Sequence, residues 1–140
     1  MTLKEFPNSQ NEPFEETSPE TDQYNCLAWV MHDTQRWWDT EDEDFWVSNL
    51  PQDSTLKTLV LLGEKQGFVV CDNGQLEKGY EKMALFSLEG TYCTHVARQL
   101  ASGQWTSKLG TSYDVTHSLK AMEGGIYGNV VQFLKKAMKA

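Results

Sequence analysis

The chain has 140 residues, of which 39% are apolar and 11% aromatic, and a formal net charge of −8. That length suits one domain with a real core. Residues 1–44 carry twelve Asp/Glu against Lys4 and Arg36, while the remainder is slightly basic; without a basic stripe the chain is no candidate for nucleic-acid binding.

No run approaches the ~18 apolar residues that cross a bilayer, so no membrane partner is expected. The N-terminus lacks the apolar core of a secretory signal. The cytoplasm is the expected compartment, with export by a signal-less route left open. Cys26, Cys71 and Cys93 are odd in number and irregular in spacing, which argues against a disulfide framework and against a zinc site. No cofactor and no metal is expected.

Residues 1–22, rich in Glu, Ser and Thr and holding Pro7, Pro13 and Pro19, read as a flexible acidic arm, and 23–140 as a single domain. Cys26, Trp29, Val30 and Trp37 predict a helix of three or four turns from Asn25, whose side chain can cap it. Five acids within Asp39–Asp44 lack the glycine and closing Glu of a calcium loop and read as a solvated loop. Asp53 or Ser54 caps a second helix that ends at Gly67. Phe68–Cys71 reads as a short buried strand. Glu81–Ser87, Thr91–Leu100 and Gln104–Leu109 read as three more, His117–Met122 as a short helix and Asn129–Leu134 as a last strand. Helices followed by an antiparallel meander make an α+β fold.

A thiol becomes a nucleophile when it loses its proton, and a helix N-terminus favours the thiolate. Cys26 occupies such a place, with Tyr24 and Asn25 beside it as donors for an oxyanion pocket. On a strand, Cys93, His95, Ala97 and Gln99 share a face, as do Trp105, Ser107 and Leu109 across the hairpin. His95 is the candidate base, Ser107 the residue that orients it, and Cys93, Gln99 and Trp105 the expected pocket lining. Cys93 is a rival nucleophile that lacks a helix N-terminus, and Cys71 is expected to be buried. His32 is expected on a solvated or capping face, and His117 to cap or pack the last helix.

Asn25-Cys26 at a helix start and His95-Val96-Ala97-Arg98-Gln99-Leu100 before Gly103 resemble the nucleophile turn and His hairpin of the papain-like NlpC/P60 hydrolases. The third polar residue of that class follows the His by twelve positions, which is Ser107 here, where the class carries His, Asn or Gln. The chain is also similar to an uncharacterised bacterial domain family with a Tyr-Asn-Cys-x-Ala-Trp start. The other landmarks are Arg36-Trp37-Trp38, Gly79–Leu85, Gly103–Gly110 and Glu123–Gly128. The resemblance implies a papain-like fold, with N-terminal helices on a mostly antiparallel sheet. It also implies a thiol hydrolase or acyl transferase (peptidase, amidase or deamidase) acting on a peptide or other amide- or thioester-bearing substrate. The alternative is a non-catalytic binding module on that scaffold, recognising a protein or peptide partner through Trp37, Trp38, Trp46 and the acidic loop.

Overall fold

A computed structural model describes residues 5–138. A 3₁₀ turn, Pro7–Gln10, is followed by β1 (Glu15–Glu16), α1 (Cys26–Val30), α2 (Leu56–Lys65), β2 (Val69–Cys71), β3 (Tyr80–Ser87) and β4 (His95–Gln99). Then come β5 (Trp105–Lys108), β6 (Asp114–His117), α3 (Leu119–Met122) and β7 (Asn129–Ala137). The strands form one sheet in the order β1-β6-β5-β4-β3-β7-β2, antiparallel at every pairing. The fold is α+β, a mostly antiparallel sheet with few helices, as expected. No helix among the described residues is long and apolar enough to cross a membrane.

The sheet is buried on both faces, which explains the near-continuous apolar run of β3. Met83 and Leu85 point to the face covered by α1 and α2, where Leu27, Val30, Leu62, Val96 and Leu134 pack with them. Ala84 and Phe86 point to the other, with Ala97, Trp105 and Val115. Each large apolar side chain so enclosed contributes roughly 1.5–3 kcal/mol.

Phe6 and Met122 cover that second face, which corrects the expectation of a flexible arm. Phe6 is 2% exposed and meets Phe14 and Tyr127 with ring centroids 5.1 and 5.6 Å away. Glu15 pairs with Thr116. Buried Asp114 accepts from the Thr17 hydroxyl and, at 2.9 Å, from the Tyr24 hydroxyl, while its own N–H donates to Ser18 Oγ. The arm's polar composition concealed two aromatic anchors.

Other differences have local causes. The first helix is five residues long, not three or four turns. His32 takes a left-handed φ of 59°, and the Asp33 carboxylate gathers the Trp38 indole N–H, the Gln35 N–H and the Arg36 guanidinium into a turn. The second helix is capped by Thr55, which accepts from the Thr58 N–H; Asp53, two residues before the cap, accepts from both hydroxyls. It stops before Gly67, whose φ is 98°. β2 is an exposed edge strand, with Val69 54% and Val70 50% exposed, where a buried one was expected. His117 ends a strand instead of starting a helix; Ser118 caps α3.

Candidate functional site around Cys26 and His95

Asn25 builds the turn that presents Cys26. Its Oδ1 accepts from the N–H groups of Ala28 and Trp38, and its Nδ2 donates to the Trp38 carbonyl at 2.7 Å. One side chain thus caps α1 and fastens the following loop against it. The expected pocket role of Asn25 is therefore a structural one, although it does stand in the cavity wall.

α1 lies across β4 and β5, so Cys26 sits above the start of the strand that carries His95. Cys26 is partly exposed. Burial nevertheless raises its thiol pKa above the ordinary 9.0. Backbone N–H groups of Val96, Leu27 and Cys26 itself, and then the Lys108 ammonium, pull the other way. The resting group is a thiol, but the donors that would receive negative charge on sulfur, or on an oxygen beside it, are already in place.

His95 is 2% exposed. Strand alternation turns its ring to the face of Phe86, and it lies flat on Tyr127 with centroids 4.1 Å apart and planes 6° apart. Burial, with His117 adding to it, pushes its pKa down to about 3. Its Nε2 is buried without a hydrogen-bond partner. A bare imidazole nitrogen in a dry site is costly to bury, and the same burial disfavours the protonated ring.

Cys26 and His95 both stand in the wall of one cavity of about 150 Å³ with Asn25, Trp38, Cys93 and Thr94. A volume of that order admits a benzene-sized group. No hydrogen bond joins the thiol to the imidazole; Cys26 approaches β4 through the Val96 N–H, on the helix side of the strand. A larger cavity of about 600 Å³ lies at the other end of β4, but no cysteine lines it. Reactivity, not size, selects the smaller one as the candidate site.

Ser107 does not reach His95. The ladder joins Arg98 to Thr106 and Gln99 to Trp105, which sets Ser107 level with Ala97, two residues along from His95. Ser107 is fully buried and hydrogen-bonds His117 Nε2 at 2.7 Å. His117 Nδ1 donates to the Ser118 carbonyl at 2.7 Å, so Nε2 is the acceptor and the Ser107 hydroxyl the donor. The orienting residue picked from spacing thus orients the other buried histidine. His117, expected at a helix start, was the partner missed; its place opposite Trp105 on β6 was hidden while it read as the first residue of the last helix.

Of the other expected pocket residues, Cys93 does line the cavity. It packs on the helix side of the sheet, not on the face of His95, because the regular strand begins only at His95. Its thiol is pushed up to about 12 by burial and by Cys26. Tyr24 is buried against Trp29 and committed to Asp114. Gln99 is at the far end of β4, donating to the Gly74 carbonyl, and Trp105 belongs to the second core. Cys71, expected to be buried, is partly exposed on β2. Among the described residues no group of three His, Cys, Asp or Glu side chains could hold a metal.

The chain belongs to a family described as Domain of unknown function (DUF7689), which matches residues 15–135. No curated protein and no solved structure matches it.

Proposed function

We propose that the chain is a thiol hydrolase or acyl transferase of papain-like build, acting on an amide or thioester with Cys26 as nucleophile and His95 as base. The observation that carries this reading is one cavity lined by both residues: Cys26, at a capped helix start with backbone N–H groups around its sulfur, and His95, whose buried Nε2 has no hydrogen-bond partner. The Cys26 sulfur attacks the carbonyl carbon as its proton is relayed, through water in the cavity, to His95, whose ring turns to the other face of β4. The carbonyl oxygen takes the negative charge beside the N–H groups of the α1 turn. Collapse breaks the bond to the amine or thiol, which takes the proton from His95 and leaves an acyl group on Cys26. Water, or a second nucleophile, then removes that group.

Both groups rest neutral, so this is general-base chemistry and not a preformed ion pair. The cavity fits a small acyl group better than a bulky one. The same neutrality favours the second reading, a binding module without catalysis, and one experiment separates them. The chain is incubated at pH 7.5 with an acetyl thioester, and the acyl adduct is located by peptide mass spectrometry. Acylation confined to Cys26, lost in Cys26→Ser and slowed at least tenfold in His95→Gln, supports the enzyme. Equal, slow acylation of all three cysteines, or a rate indifferent to His95→Gln, overturns it and leaves the binding module.

A further inference from the structure

The cavity of about 600 Å³ at the open ends of β3 and β4 has the dimensions of a small-molecule site. Its wall is mainly apolar, from Leu76, Leu100, Ala101 and Met138, with a few charged groups from Glu81, Arg98 and His32. These groups are not evenly matched. His32 Nε2 donates to Glu81 Oε1 at 2.6 Å, whereas Arg98 Nε stands 4.0 Å from the same oxygen, beyond hydrogen-bond reach. Glu77, the other acid in the wall, is bound to Lys135 at 2.9 Å and lies 3.6 Å from Lys82.

Arg98 is therefore a cation whose Nε–H is buried with no partner. Its guanidinium rests over the Trp29 ring at 4.9 Å, a contact that holds the group in place. A buried donor on a charged group is costly to leave unpaired. His32 bears on the same wall: it takes the left-handed backbone region at φ 59°, and its imidazole donates to the carboxylate that stands 4.0 Å from Arg98.

We propose that this cavity binds a small monocarboxylate with an apolar chain, its carboxylate on the Arg98 guanidinium and its chain along Leu76, Leu100 and Met138. The ligand's anion gives the guanidinium a closer partner than Glu81 at 4.0 Å, and planar guanidinium–carboxylate pairing fixes its direction. The site lies at the far end of β4 from Cys26 and does not depend on thiol chemistry.

The test is isothermal titration calorimetry on the full chain with octanoate, octan-1-ol and octylamine. Octanoate should bind at least tenfold more tightly than octanol, and octylamine should not bind. Arg98→Met, which keeps an apolar stem over Trp29, should weaken octanoate at least tenfold and leave octanol unchanged. Ala101→Trp, at an exposed turn, should fill the cavity and abolish both; it also serves as the decisive variant if Arg98→Met does not fold. Absence of octanoate binding, octylamine binding as tight as octanoate, or octanoate binding undiminished by Ala101→Trp each overturns the proposal. Cys26→Ser should bind octanoate like the parent, which keeps this outcome separate from that of the acylation assay.

Discussion

Lowering the pH from 7 to 5 should cost the folded chain about 4 kcal/mol through two side chains alone. His95 and His117 ordinarily titrate near 6.5, and folding holds them at about 3 and about 4. Burial is the main cause for both, so the folded state refuses protons that the unfolded chain accepts. Stability is full above the ordinary value and is lost as the pH falls towards the folded one. Between those limits each histidine forfeits about 1.4 kcal/mol per pH unit, hence about 2 kcal/mol apiece by pH 5. Against a typical net stability of 5–15 kcal/mol this is a large fraction.

Three carboxylates are held away from this window. Asp53, held low by the Thr58 hydroxyl, Glu77 by Lys135 and Glu89 by the Tyr92 N–H all titrate below it. Urea unfolding followed by tryptophan fluorescence should show the midpoint falling by about 2 M from pH 7 to pH 5, for a slope near 2 kcal/mol per M. His117→Asn, which keeps an acceptor for Ser107, should lose about half of that dependence. Identical midpoints at pH 7 and pH 5 would show that these rings are not desolvated as described.

Three further outcomes follow from single contacts. Asn25→Ala removes a helix cap and two bonds to Trp38 and should destabilise by about 2 kcal/mol, read as a lower thermal midpoint. Gly128→Ala should leave little folded protein in the soluble fraction, because a Cβ at φ 78° would run into the Ser87 carbonyl. Ser107→Ala should cost about 1–3 kcal/mol by stranding His117 Nε2, yet leave acylation of Cys26 at the parent rate; a tenfold slower rate would return Ser107 to the site.

Much of the architecture was legible. The alternation of Met83–Phe86, the cap at Asn25 and the left-handed glycine after α2 are local signals, and local physics decided them. The missed features were decided at a distance. Phe6 and Phe14 lie in a polar tail and take their place only from Tyr127 and His117, which stand against them. Ser107 was misassigned by two residues of register, because pairing depends on where the ladder starts and not on the number of intervening positions. The Asp114–His117 strand alternates weakly and became visible only beside β5. Cys26 and His95 were picked from chemistry, but their separation to opposite sides of β4 follows from strand parity at His95, which the irregular Thr91–Thr94 segment obscures.

The docking of the N-terminal segment sets the sequence of events during synthesis. Glu15 and Glu16 leave the ribosome long before Val115 and Thr116, with which they pair, and Phe6 waits for Tyr127. Closing a loop of ~100 residues is slow, because ordering must precede the contacts that reward it. A nascent chain released before Tyr127 has emerged would therefore leave Phe6 without its shelter and the outer edge of β6 open to another polypeptide.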